Sequence, residues 1–416
     1  MDGALNDIKI VEVTTMAAAP MAARLLADWG ADVVHIEHPQ TGDPWRTWIK
    51  KPDGSLYPPE VSYHYWEHYN RNKRSMSLDI SQEQGREIIY RLLKNADVFI
   101  TNRRPAELRR FRLDYASIKK TNKRLVYASL TGFGKKGPDK DAPGHDTVGF
   151  WARSGFMYLL QQAGSAPPSP GYRTVAAGDT LTGVALALGI TMALLARQKT
   201  GLGQEVDVSL LNMGIFANVP AVMSLGPIIQ ALGGKKAYTD MLRRERHDVS
   251  PLFISYETKD KRWLQLSLAP PEPYWAEFCR AIGREEMAAD SRFSSAEART
   301  ENKEALFRTL EDVFRTRTLA QWKAAFKKTS LIWSPIQRPD EAVRDPQARA
   351  NGIFVPFQHP GLGRMRVVAN PVRLSRTPAS VRTPAPEFNQ HTEEILLELG
   401  YDWESIARLK REKVIA

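Results

Sequence analysis

Residues 10–37, IVEVTTMAAAPMAARLLADWGADVVHIE, contain a strand, a turn, a helix and a second strand in one uninterrupted stretch. The run IKIVEVT at 8–14 is short, apolar and rich in β-branched residues, which suits a buried strand. Positions 19–29 follow with helical spacing and stop at Gly30, a residue type that often ends helices. ADVVHIE at 31–37 is the second strand. The same alternation continues outward from this unit. Strands are expected at 75–80, 97–101, 124–130 and 204–209, with helices at 81–96 and roughly 179–199. Ser81 is the expected N-cap of the 81–96 helix, with Glu83 in its first turn. Strands separated by helices of this length imply βαβ units, and so an α/β protein with a mainly parallel sheet.

The turn after the first strand reads Thr15-Met16-Ala17-Ala18-Ala19-Pro20. It lacks the G-x-G-x-x-G spacing that lets a backbone approach a dinucleotide pyrophosphate. Glu37, at the end of the second strand, matches the ribose-binding acid only in position. No nicotinamide or flavin cofactor is expected, and no metal.

Beyond residue 225 the texture changes. Gly233-Gly234-Lys235-Lys236 within 226–236 suggests an exposed linker. Residues 254–268 suit a hairpin turning at Lys259-Asp260-Lys261, followed by helices at 273–282 and 295–328. This pattern predicts a smaller α+β domain. Residues 338–386 carry many prolines and are expected to be extended, and 390–416 to be helical. There are no internal repeats and no low-complexity tract.

A chain of 416 residues is long enough for two or three domains. The single cysteine, Cys279, rules out an internal disulfide framework and fits a reducing compartment. No leader pattern opens the chain, and the apolar stretch 184–196 is too short to span a bilayer. A cytoplasmic protein without membrane association is the expectation. The formal net charge is +11. Basic residues gather at 70–74 (NRNKR), at 102–112 (NRRPAELRRFR), and at Lys410, Arg411 and Lys413. Solvated helix faces are one explanation. A small phosphorylated ligand explains the first two clusters as well as nucleic acid does, since arginine pairs with phosphate in a planar fork.

Five segments, in order, resemble the class III coenzyme A transferases (the CaiB/BaiF type) and their racemase relatives. Residues 10–37 resemble the first βαβ unit of that family, and NRNKRSMSLD at 70–79 its second signature. Residues 97–104 with Arg110 resemble its adenine- and phosphate-facing segment. Gly178-Asp179-Thr180 followed by KTGLGQEVDVS at 199–209 resembles its catalytic block. Gln390-His391-Thr392 with Gly400-Tyr401 resembles its C-terminal signature. The resemblance implies a Rossmann-like large domain interrupted by the small one. Residues 1–225 would begin the large domain, 226–337 would form the small domain, and 338–416 would return to complete the large one. It also implies an interlocked dimer, with a homodimer expected and a heteromer of related subunits as the alternative. The partners expected are an acyl-CoA and a small carboxylic acid, and no nucleic acid.

In the mechanism this resemblance implies, Asp179 is the covalent carrier. A carboxylate nucleophile conserves the energy of the thioester, because it holds the acyl group while the thiolate stays bound. Gly178 would remove a side chain beside the nucleophile. Unpaired N–H groups at a helix start would favour the ionised carboxylate. A plain aspartate N-cap is the alternative reading of Asp179. By position, Ala17, Ala18, His38, Asn72, Lys73, Asn102, Arg103 and Arg110 would bind the coenzyme, succinyl-CoA being one expected donor. Pro143-Gly144-His145-Asp146 resembles the racemase branch, with His145 and Asp179 as an acid–base pair at a 2-methylacyl-CoA, and Glu272-Pro273 resembles a racemase acid. GPDKD at 137–141 and FWARSG at 150–155 instead resemble transferases acting on 2-hydroxy acids, aryl-lactates and benzylsuccinate-like acids. Asp179-Thr180 replaces the Asp-Phe pair of racemases, and the glycine-rich loop of the formate–oxalate branch is absent from 226–250. A transferase is therefore the primary expectation. Trp151 and Tyr158 are candidates for an acyl pocket. A CoA-binding subunit without activity is the third alternative.

Overall fold

The computed structural model describes residues 3–46, 59–160, 176–242 and 249–416. Six strands, β1 Lys9–Val13, β2 Asp32–Glu37, β3 Arg74–Ser77, β4 Val98–Thr101, β5 Val126–Thr131 and β6 Glu205–Ser209, form one sheet in the order β3-β2-β1-β4-β5-β6. Every neighbouring pair is parallel. The expected α/β class and parallel sheet are thus present. Helices α1 Ala18–Asp28, α2 Pro59–Asn70, α3 Glu83–Asn95 and α4 Pro105–Arg110 precede β5, as does the single turn α5 Tyr115–Ile118. A π-helical segment Thr147–Ala152 and a short α6 Phe156–Leu159 lie before the long α7 Ala177–Thr200, and α8 Leu210–Ala217 follows β6.

The two faces of each strand feed different cores, as the period-2 geometry of a strand requires. Ile10, Val33, Val98, Ile100, Val126 and Ala128 face α1 and α7. Val11, Val34, Phe99 and Tyr127 face α3 and the C-terminal helices Thr392–Glu398 and Trp403–Arg411. Burial on both faces explains why these strands are apolar without alternation. The return segment closes the β3 edge. Ser77 N donates to Thr392 Oγ1 at 2.9 Å, Asp79 N to the Val414 carbonyl at 2.8 Å, and Ala416 N to Ser77 Oγ at 2.9 Å.

Charged groups sit inside this packing. Glu12, on β1, is fully buried on the α1 side. Its Oε1 accepts from Lys73 Nζ at 2.6 Å and pairs with His35 Nδ1 at 2.8 Å, and its Oε2 accepts from Thr14 at 2.8 Å. Against the desolvation that burial imposes, Lys73 and His35 hold the Glu12 carboxyl below its ordinary range. Lys73 gives its other two hydrogens to the Pro20 carbonyl and Asn70 Oδ1. Asn72, in a left-handed conformation at φ 62, uses all four hydrogen-bonding positions. It donates to Asp28 and the Ser380 carbonyl and accepts from the Arg382 and Thr383 amides. Asp28 also receives Arg24 and a two-pronged Arg71. The basic cluster 70–74 is therefore largely an internal clamp between α1, β1 and the returning chain.

By Cα proximity the chain divides into two compact units, one taking the described residues up to 225 together with 350–416, the other 226–349. The second has an antiparallel three-stranded sheet, Ser255–Glu257, Trp263–Leu266 and Trp333–Pro335. The hairpin turns where expected, with Lys261 at φ 58. Its core stacks Tyr256, Phe278, Phe307, Phe314, Trp322 and Phe326.

Several expected elements differ. The 295–328 helix is three helices, Ala296–Glu301, Lys303–Phe314 and Leu319–Phe326: Ser295 caps the first, the backbone leaves helical geometry at Asn302, and Thr318 starts the third by accepting from Gln321 N. The 226–236 linker is mostly helical, with Leu225–Ala231 and Lys235–Leu242 flanking Gly233 and Gly234 at positive φ. Ser81 is not a cap. Asp79 accepts from the Ser81 amide and hydroxyl and from Gln82 Nε2, and the helix starts at Glu83. Within 338–386, Phe354–His359 and Gly363–Val368 pair as an antiparallel hairpin. The apolar stretch 184–196 lies within α7, which is long and apolar enough by length and composition to cross a bilayer. One of its faces, with Leu186, Ile190 and Leu194, packs into the core.

The Glu12–Lys73 pair yields a stability prediction. Lys73→Met leaves an uncompensated buried carboxylate and should cost about 3–5 kcal/mol, read from the urea midpoint. Arg110→Met, an exposed change, should stay within about 0.5 kcal/mol. A loss for Lys73→Met no larger than that for Arg110→Met would contradict the internal role.

Candidate functional site

The sheet order reverses between β1 and β4: β2 and β3 lie to one side of β1, β5 and β6 beyond β4. In open parallel sheets the crevice outside the strand carboxyl ends at this point is the usual ligand site. A pocket of about 310 Å³ occupies it here. Thr15, Met16, Ala17 and Ala18 after β1 form part of its wall. Asn102, Arg103, Arg104, Pro105 and Glu107 follow from the β4 side, and Leu130, Thr131 and Gly132 from β5. Lys140, Ala142, Pro143, Gly144, His145, Asp179 and Leu210 complete it.

Each loop is fixed by identifiable bonds. The Asn102 amide bridges two loops, accepting from Thr15 N at 3.0 Å and donating to the Thr15 carbonyl at 2.7 Å. Met16 sits at φ 69, with its amide donated to the Asp43 carboxylate at 3.0 Å. No side chain caps α1 and no acid lies in its first turn, so its N-terminal amides at Ala17 and Ala18 face the pocket as anion donors. Arg103 pairs with Glu107 at 3.3 Å. Arg104 and Lys140 are exposed and have no carboxylate partner among the described residues.

Asp179 is the third residue of α7, and Ala176 at φ 72 precedes the helix. The plain N-cap reading of Asp179 is thus replaced by a cap from elsewhere in the chain. Asp146 Oδ1 accepts from Asp179 N at 2.8 Å, and its Oδ2 accepts from Ala176 N and from Trp151 Nε1, each at 3.0 Å. The helix-start amides expected to favour ionised Asp179 are therefore taken by a second carboxylate. The effect on Asp179 is the reverse of that expectation. Burial, and after it the negative charge of Asp146, pushes the Asp179 carboxyl up to about 7. Its oxygens accept no hydrogen bond and meet no cation among the described residues. Tyr69, at the end of α2, hydrogen-bonds the Thr180 side chain, and its phenol is raised by burial and by the nearby Asp179 charge.

Gly178 does not open space for a ligand. A Cβ there would lie 2.3 Å from Phe150 Cγ and 2.4 Å from Asp146 Oδ1, so glycine is required for the clamp to close. Gly132 and Gly144 touch in the same way, a Cβ on either lying 2.7 Å from the other's Cα. His145 leads directly into Asp146. Its carbonyl accepts from Val148 N and Gly149 N, while its side chain is exposed on the pocket wall.

Six of the residues selected from sequence therefore share one pocket: Ala17, Ala18, Asn102, Arg103, His145 and Asp179. The others lie elsewhere. Lys73 and Asn72 are buried and fully bonded. His38 is half-buried outside the pocket, its Nδ1 accepting from Gln40 N. Arg110 lies against the Phe111 ring beside a separate open groove with Arg86, Arg91 and Arg112. Glu272 belongs to the second unit and pairs with Arg299 at 2.9 Å. Trp151 is buried behind Asp146 rather than lining the pocket, and Tyr158 is exposed outside it. Arg104, Lys140 and Asp146 lie within the segments 97–104, 137–141 and 143–146, but sequence spacing alone does not single them out.

The model of a family described as CoA-transferase family III matches residues 5–392. The (R)-2-hydroxy-4-methylpentanoate CoA-transferase of Clostridioides difficile is 32% identical over 414 residues, covering 99% of each chain. The cinnamoyl-CoA:phenyllactate CoA-transferase of Clostridium sporogenes is 31% identical over 413 residues, 99% of this chain and 97% of that one. A crystal structure of a CaiB/BaiF family protein from Brucella suis superposes with a TM-score of 0.78 at 27% identity, covering 96% of this chain and 100% of that one.

The raised Asp179 carboxyl has a stability signature. Its folded pKa lies above the ordinary carboxylate value, so the folded state holds a proton that the unfolded chain releases. Stability is then lost as pH rises from about 4 to about 7. Asp179→Asn should be more stable than the parent at pH 8 and no more stable at pH 4, measured by thermal unfolding. An equal difference at both pH values would contradict the shift.

Proposed function

The chain belongs to CoA-transferase family III and is a CoA-transferase, and from that premise we propose that Asp179 carries coenzyme A from an acyl-CoA donor to a free 2-hydroxy carboxylic acid. The observation that carries this reading is the Asp179 carboxylate itself. It opens into the switch-point pocket without a partner among the described residues, on a backbone whose amide Asp146 holds.

In the reaction proposed, the Asp179 carboxylate attacks the donor thioester carbonyl. The C–S bond breaks, leaving a mixed anhydride and the CoA thiolate. The thiolate attacks the aspartyl carbonyl, the donor acid leaves as a carboxylate, and an aspartyl thioester remains. The acceptor carboxylate attacks that thioester and frees the thiolate again. The thiolate then attacks the acceptor half of the new anhydride and returns Asp179 as a carboxylate. Desolvation of Asp179 strengthens it as a nucleophile, and the fixed helix start keeps it aligned through four additions. Arg103, Arg104, Lys140 and the uncapped start of α1 offer the charge complement that phosphates of the coenzyme require. The 2-hydroxy class follows the names of the two relatives, which specify a hydroxypentanoate and a phenyllactate. Succinyl-CoA is the first donor to test.

The same reading assigns residues 1–225 and the return segment to one CoA-binding domain interrupted in sequence by the small domain, whose end the compact units put at 349 rather than 337, in a cytoplasmic homodimer. An exposed apolar stripe on α7, Leu181, Val184, Leu188, Met192 and Leu195, supports the dimer. Leu188 is 61% exposed, and a row at helical spacing of this kind is suited to burial against a second copy. Leu188→Arg should convert the dimer to monomer in sedimentation velocity. A monomeric parent protein, or an unchanged dimer in the variant, would contradict it.

Incubation with succinyl-CoA and a panel of other acyl-CoAs, with hydroxylamine or borohydride trapping, tests the carrier. An adduct should map by mass to Asp179 and vanish in Asp179→Ala along with turnover. No adduct with any donor, together with α-proton exchange from a 2-methylacyl-CoA in deuterated water, would instead establish a racemase using His145 and Asp179.

A further inference from the structure

We propose that His145 reads the 2-hydroxyl group of the acceptor acid and so determines the preference for 2-hydroxy acids over their unsubstituted analogues. This rests on Asp179 as the CoA carrier and adds a specificity-determining residue to it.

A 2-hydroxyl on the acceptor must lie close to Asp179. It is attached to the carbon next to the carboxyl that joins Asp179, so its reader must sit beside Asp179. His145 shares the pocket with Asp179, and its backbone is anchored there. It immediately precedes Asp146, whose Oδ1 is 2.8 Å from the Asp179 amide nitrogen. Its carbonyl accepts from Val148 N at 3.0 Å and Gly149 N at 2.8 Å, which anchors its backbone to the start of the π-helical segment. The contact between Gly132 and Gly144 seats the preceding residue against β5's loop.

Most of the pocket's other polar groups are already engaged or charged. Both ends of the Asn102 amide are bonded to Thr15. The Thr131 hydroxyl accepts from Gly134 N. Arg103 is paired with Glu107, and Arg104 and Lys140 are cations suited to phosphate. Thr15 is on the loop that leads into α1, its backbone held by Asn102. Leu130, Gly132, Ala142, Pro143, Gly144 and Leu210, which also line the pocket, have no polar side chain. The imidazole is exposed to the pocket and has no hydrogen-bond partner among the described residues. An imidazole can donate to or accept from a hydroxyl, which itself does both. A site built to bond a substrate hydroxyl discriminates strongly against the analogue lacking it, whereas an apolar wall discriminates weakly.

The test compares acceptor pairs on the full-length enzyme: 2-hydroxy-4-methylpentanoate against 4-methylpentanoate, and phenyllactate against phenylpropanoate. The quantity read is the ratio of kcat/KM for the hydroxylated acid to that for its partner. His145→Phe should lower this ratio about tenfold, the upper end of the net worth of one hydrogen bond, and His145→Gln should retain most of it. Adduct formation at Asp179 from the acyl-CoA donor reports folding and the carrier step separately. An intact adduct with an unchanged ratio in His145→Phe overturns the role of His145 and leaves the carrier standing. Absence of the adduct in the parent enzyme overturns the carrier and this inference with it. Loss of the adduct in both His145→Phe and His145→Gln also overturns the inference, by assigning His145 to the chemistry of both half-reactions.

Discussion

The carboxylate of Asp146 joins the two chain segments on which the site depends. Its oxygens receive the amides of Ala176 and Asp179 and the indole of Trp151. A charge that would be costly to bury is satisfied by these donors, and in return it fixes the first turn of α7 against the loop carrying His145. Two consequences follow. Asp179 is held by its backbone amide, and its carboxyl is pushed upward by burial and by a like charge it cannot escape. Gly178 belongs to the same device, because any side chain there would strike Phe150 and Asp146.

The remaining wall depends on a second buried system. Glu12, Lys73, Asn72 and Asp28 tie β1 and α1 to the returning chain at 380–383. Among the bonds that hold the start of α1, where Ala17 and Ala18 face the pocket, is the one from Lys73 to the Pro20 carbonyl. The C-terminal helices are needed for the same sheet, since Ile395, Leu396, Ile406 and Leu409 supply much of the core on its other face. Residues nearly the whole chain apart in sequence therefore support one pocket.

Much of this was legible in residues 10–37 and their continuation, because strands buried on both faces keep an apolar run that survives without knowledge of tertiary contacts. All six sheet strands were expected within a few residues of their places, and Asp179 was selected at the helix start where it lies. The basic clusters were less legible. Lys73 and Arg110 look alike as sequence, yet one is sealed against Glu12 and the other lies on an aromatic ring at the surface. Which charges are paired depends on segments hundreds of residues apart, and local spacing does not carry that information. The same holds for Gly178. A glycine beside a nucleophile suggests access, whereas its actual constraint is Phe150 packing from behind. Of the two helix breaks within 295–328, Thr318 carries a capping signal in the sequence, whereas Asn302 turns the chain without a side-chain cap and carries little.

The central claim is that a carboxylate oxygen of Asp179 enters the reaction covalently. The most direct measurement supplies an acceptor acid labelled with heavy oxygen in its carboxylate, runs turnover with an acyl-CoA donor, and analyses the peptide containing Asp179 by mass. Collapse of the acceptor anhydride leaves the bridging oxygen on the aspartate, so the account predicts heavy oxygen in Asp179. Conversion of the labelled acid to its thioester with no label in that peptide would contradict it.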